Sequence, residues 1–64
     1  AIAEALIRAR MEAGLTQAQV AEKMGISQPR VAQFESGRNL TIKTLVGYAT
    51  AVGKTLNLQI RPAQ

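Results

Sequence analysis

With 64 residues and no cysteine, histidine or aspartate, the chain is a single small domain that has no disulfide and no thiolate or imidazole for a metal. A domain of this size buries only roughly 60% of the surface its unfolded chain exposes, so association with a second chain is the remaining source of extra stability. Aromatic residues are 3%, too few for a base-stacking platform of the single-strand or RNA-recognition type, while the net charge of +4 leaves a polyanionic partner, an acidic membrane and neither of these all open.

In chain order, the first predicted helix runs roughly from Ile2 to Ala13, with Ile2, Leu6, Ala9 and Ala13 at helical spacing on one face and Gly14 as its left-handed stop. The next three predicted helices share one construction. Leu15-Thr16, Ile26-Ser27 and Leu40-Thr41 each place an apolar residue before a hydroxyl cap, and Val20, Val31 and Leu45 follow four residues after that cap. The hydroxyl satisfies the orphan N–H groups of the first turn, and the flanking apolar pair staples the entry. Gln19, three residues after Thr16, completes a capping box. Gly25, Gly37 and Gly53 close the three helices, and Pro29 falls in a first turn, where its missing N–H costs nothing.

After Gly53 the period changes. Leu56, Leu58 and Ile60 alternate with Asn57, Gln59 and Arg61 until Pro62, which is strand spacing. A lone strand leaves its backbone groups unpaired, so Thr55 to Arg61 is expected to pair with its own copy across a two-fold axis. An extended tail packed on the helices is the alternative. No segment has the length of a membrane-spanning helix, and no charged-then-apolar leader opens the chain. It begins without Met, directly in helix-like sequence, which points to residues preceding Ala1.

The segment from Gln17 to Ser36 carries the functional pattern. Ala21 is small where two short helices cross, Gly25 stands at the turn between them, and Val20, Met24, Ile26, Val31 and Phe34 form the hinge that fixes their angle. A short helix, a turn of about four residues and a second short helix match the DNA-binding helix-turn-helix. The helix opened by Ser27 turns Val31 and Phe34 inward, leaving Pro29, Gln33 and Ser36 on the opposite face and Gln28 at its N-terminus. Such a helix reads base edges near its N-terminus. Gln pairs bidentately with adenine and Arg with guanine, so Gln28, Arg30 and Gln33 are the candidates for base contact. Outside a helix-turn-helix the same three would be read as solvated polar residues. Thr16 and Ser27 are caps first and phosphate contacts second. Ser36, Arg38 and Lys43 are further phosphate candidates.

The stretch LTQAQVAEKMGISQPRVAQFESG resembles the Cro and phage-repressor (XRE) class of helix-turn-helix domains, a likeness covering about Leu6 to Gly53. The trailing strand, with ARMEAG before the motif, is similar to the HigA-like antitoxin branch of that class. This resemblance implies that Gln17, at the start of the second helix, contacts phosphate and buttresses Gln28. It also implies a partly buried ion pair between Arg10 and Glu35 that fixes the recognition helix; two independent surface charges are the alternative. Pro29 and Ala32 depart from the pattern, standing where many relatives carry hydrogen-bonding side chains.

The expected architecture is therefore mainly α: a compact, lambda-repressor-like four-helix domain over residues 1–53, and a C-terminal β-strand over 54–64 that pairs between chains through Leu56, Leu58 and Ile60. The expected function is sequence-specific repression by a cytoplasmic bacterial homodimer on near-palindromic duplex DNA, as the antitoxin of a toxin–antitoxin pair repressing its own operon. A protein-interaction module that neutralises a toxin without reading DNA is the alternative. No membrane partner, metal or other cofactor is expected. Catalysis is not expected either, because the chain lacks nucleophile–base and phosphate-cradling arrangements and Tyr48 reads as packing on the fourth helix.

Overall fold

A computed structural model describes residues 2–63 of the chain; Ala1 and Gln64, the outermost residues of the two expected units, lie outside it. Four helices follow one another: α1 (Ile2–Glu12), α2 (Gln17–Met24), α3 (Gln28–Glu35) and α4 (Ile42–Ala51). Their boundaries are set by local chemistry. Thr16 Oγ1 accepts from the Gln19 N–H at 3.1 Å, while Gln19 Oε1 accepts from the Thr16 N–H at 2.8 Å. Thr41 and Thr44 make a second reciprocal box at 3.1 and 2.9 Å, in which a threonine does the work usually given to a longer Glu or Gln. Ser27 caps α3 with a longer contact of 3.4 Å from the Arg30 N–H. At the turn between α2 and α3, Gly25 has φ +71° and would meet nothing within 4 Å if it bore a Cβ. Backbone conformation and not space therefore requires glycine there.

The core is the meeting place of all four helices. Val20, Val31, Phe34 and Tyr48 are fully enclosed, and Leu6, Ala21, Leu45 and Val52 complete the buried cluster. Met24, Ile26, Leu15 and Leu40 pack against it from the helix ends, as the hinge and staple pattern requires. Gly47, in mid-α4, has a different reason to be glycine: a Cβ there would sit 3.3 Å from Met24 Cε, so its absence lets α4 close on the end of α2. The face expected on α1 is narrower than its spacing suggests. Leu6 is buried and Ala9 partly so, whereas Ile2 and Ala13 are exposed, and the helix ends at Glu12, one residue before Ala13.

The C-terminal segment departs from expectation. The last backbone hydrogen bond along the chain is from the Lys54 N–H to the Ala49 carbonyl, and none is made from Thr55 to Ala63 among the described residues. No strand is present among them. Leu56 alone of the three alternating apolar residues packs on the core, while Leu58 is half exposed and Ile60 wholly exposed. The reason is physical: a strand exists through its ladder, and a block of four helices has no free edge to supply one.

Candidate nucleic-acid interface

Helix α3 divides its surface unevenly. Val31, Phe34 and Glu35 are buried, Ala32 and Gln33 are half-buried, and Gln28, Pro29 and Arg30 are exposed at its N-terminal end. The buried Glu35 is the centre of a polar cluster inside an otherwise apolar core. Arg10 on α1 donates to both carboxylate oxygens, from Nε to Oε2 at 2.7 Å and from Nη2 to Oε1 at 3.1 Å. Its Nη1 donates to the Leu15 carbonyl at 2.9 Å, tying the end of α1 to the start of the motif. The Tyr48 hydroxyl lies 2.6 Å from Glu35 Oε2 and 2.9 Å from the Leu6 carbonyl; it has one proton, and the nearer, charged acceptor makes the stronger bond. Gln17 Nε2 donates to Glu35 Oε1 at 3.1 Å. Each carboxylate oxygen thus accepts two donors, and among the described residues no buried side-chain N or O lacks a partner.

These contacts set the charge states. Burial pushes the Glu35 carboxyl up, but the hydrogen bonds from Arg10, Tyr48 and Gln17 outweigh it and leave its pKa below the ordinary 4.5. Hydrogen bonding to Glu35, against the opposing effect of burial, raises Arg10 further, and Tyr48 is raised by burial and by its bond to the carboxylate. The cluster is therefore a carboxylate, a guanidinium and a neutral phenol throughout the physiological range.

From Glu35 the network runs outward. Gln17 passes it on at the start of α2, where its Oε1 accepts from Gln28 Nε2 at 2.6 Å. Gln28, at the first turn of α3, is exposed. At the opposite end of α3, Asn39 Nδ2 donates to Gln33 Oε1, Ser36 Oγ donates to the Gln33 carbonyl at 2.8 Å, and Arg38 Nε donates to Ser36 Oγ at 3.2 Å. Asn39 adopts φ +57°, a left-handed conformation that asparagine tolerates, and this aims its amide back at α3. Arg30 lies along its own helix, its guanidinium 6.0 Å from the Phe34 ring centre. Lys43, on α4, joins Lys23 and Arg30 at the rim of an open groove floored by Met24, Ile26 and Gly47, which no acidic residue lines. The Thr16 and Ser27 hydroxyls act as caps.

The structure thus gathers Gln17, Gln28, Arg10 and Glu35 into one network, and Gln33, Ser36 and Arg38 into another. Lys43 and Arg30 meet only across the groove. Two members were not read from sequence. Tyr48 reads in sequence as packing, though a lone phenol in an apolar core requires a partner for its hydroxyl. Asn39 carried the turn signal of a residue that tolerates positive φ. Among the described residues, no cluster of potential metal ligands is present, and no helix is long and apolar enough to cross a membrane.

A family model described as helix-turn-helix matches residues 6–59. An uncharacterized HTH-type transcriptional regulator of Haemophilus influenzae is 34% identical over 59 residues, 91% of this chain, and the aligned region spans 60% of that relative's length. No solved structure matches the chain.

Proposed function

The chain belongs to the XRE-type helix-turn-helix family, and on that premise we propose that it binds specific duplex DNA as a transcriptional regulator. The observation that carries this reading is α3, which holds its place through Val31, Phe34 and Glu35 while exposing Gln28 and Arg30 where a recognition helix meets base edges. Gln28, Arg30 and Gln33 read bases. Thr16, Gln17, Ser27, Ser36, Arg38 and Lys43 hold the backbone on either side, and the Gln17 N–H at a helix N-terminus suits a phosphate.

The regulator acts as a homodimer in a bacterial cytoplasm and represses the operon that encodes it. Residues 54–64 form the second functional unit. Leu58 and Ile60, apolar and exposed, suit pairing with the same segment of a second copy, which would supply the missing ladder and set the spacing of two recognition helices. A further role as antitoxin has its own support in Ile2 and Met11, large apolar side chains left exposed on α1.

Selection of bound duplexes from a random pool at near-physiological salt tests the proposal. An inverted repeat with half-sites about 34 Å apart is expected. Recovery without consensus, with binding that vanishes as salt rises, overturns specific reading and leaves only counterion-driven attraction.

A further inference from the structure

We propose that Glu35, a buried residue of α3, determines specificity by fixing which way round the Gln28 amide faces the DNA. This rests on the reading of α3 as the base-contacting helix.

The argument is one of donors and acceptors. An ionised carboxylate only accepts hydrogen bonds. Glu35 Oε1 lies 3.1 Å from the Gln17 amide, so that amide must present its nitrogen inward; turned over, it would set an oxygen against the charged oxygen in a half-buried place. With its nitrogen inward, Gln17 presents its oxygen to Gln28. Gln28 must answer with its own nitrogen, because two amide oxygens cannot face each other at 2.6 Å. One N–H of Gln28 is thereby committed to Gln17. Its carbonyl oxygen and its second N–H remain, in a fixed sense.

That remaining edge has one acceptor and one donor. Adenine offers the complement in the major groove, an N6 donor beside the N7 acceptor, whereas guanine offers two acceptors, O6 and N7. An unrestrained glutamine could turn its NH2 toward guanine. The relay Glu35–Gln17–Gln28 prevents this, so the carboxylate excludes guanine at that position through two intervening side chains. The other base-reading glutamine has no such anchor. Gln33 is bonded to Asn39, amide to amide, and the two can turn over together without loss. Gln33 is therefore the internal control.

The experiment measures the adenine-to-guanine preference of the full chain at the base pairs read by residues 28 and 33, each pair located by the loss of discrimination in Gln28→Ala and Gln33→Ala. Three relay variants are compared with the parent. Glu35→Gln lets the residue at 35 donate as well as accept. Arg10→Met with Glu35→Gln does the same while leaving no unpaired guanidinium, and replacement of both partners of a buried pair is far better tolerated than removal of one. Gln17→Met cuts the relay and leaves Glu35 in place.

A bidentate contact discriminates by roughly 5- to 150-fold. The parent is expected to prefer adenine at the Gln28 position within that range. The preference should fall toward parity in Gln17→Met and in whichever Glu35 variants are folded by circular dichroism, with the preference at the Gln33 position unchanged. A purely structural role would weaken every duplex alike and leave the ratio alone. Retention of the adenine preference in the folded relay variants overturns the proposal, as does a parallel loss at the Gln33 position or a guanine preference in the parent. A parent with no sequence preference at all is a different failure, that of the DNA-reading function itself.

Discussion

The helical block and the C-terminal tail carry the same kind of sequence signal and meet different fates. In the block, apolar residues at helical spacing find one another, and Val20, Val31 and Phe34 end with almost no exposed surface. In the tail, Leu56, Leu58 and Ile60 alternate just as regularly, yet only Leu56 finds a neighbour and Ile60 is wholly exposed. Periodicity identifies a face. Whether that face is covered depends on what the rest of the chain can bring to it, and four short helices bring nothing with a strand edge.

This contrast can be broken or sharpened by measurement. Phe34→Ala should have the largest effect, destabilising the chain by about 3–5 kcal/mol, because the cavity lies where all four helices meet. In a domain of this size that is most of the folding free energy, so the urea midpoint should approach zero. Acid should come next. The folded Glu35 pKa lies below its ordinary 4.5, so the carboxylate contributes stability that is present above that value and is lost as the pH falls through the lowered one. Denaturation midpoints followed from pH 7 down to about pH 3 should decline more steeply in the parent than in Glu35→Gln, and parallel curves would remove Glu35 from the account.

Thr16→Ala should cost about 1 kcal/mol, read as a shift in thermal midpoint, since it removes the acceptor for the Gln19 N–H in an exposed turn. Ile60→Ser should change the stability of the single chain least, by under about 0.5 kcal/mol, because its side chain touches nothing there. Sedimentation velocity should show the same substitution shifting a dimer toward monomer. A core-sized loss of single-chain stability in Ile60→Ser would mean that the tail belongs to the block after all.

What the sequence reveals follows the range of the interactions. Helix starts and stops were legible because each rests on residues within a few positions: Thr16 with Gln19, Ser27 with the Arg30 N–H, and Gly25 at its positive φ. The Thr41–Thr44 box is equally local, but a threonine in the second place is a weaker cue than the usual Glu or Gln. The polar centre is another matter. Tyr48 reaches a carboxylate thirteen residues earlier, and Gln17 reaches the same group eighteen residues later, across helices whose relative placement no local pattern encodes. Arg10 and Glu35 were paired only because related sequences suggested it. The tail departs for the opposite reason: its alternation is clear, but the described residues offer no strand for it to pair with.

The uneven burial of α3 has a consequence for how such a regulator changes its target. Val31, Phe34 and Glu35 are the mounting by which the helix is seated, whereas Gln28, Pro29 and Arg30 are free of that duty. On the proposed reading of α3 as the base-contacting helix, new operator preferences are therefore open to evolution, or to a designer, at little thermodynamic cost to the scaffold. Gln28 alone is not independent, because it is bonded to Gln17 in the neighbouring helix. Residues 17 and 28 should be exchanged as a couple, inherited or redesigned together, while residues 29 and 30 can drift singly.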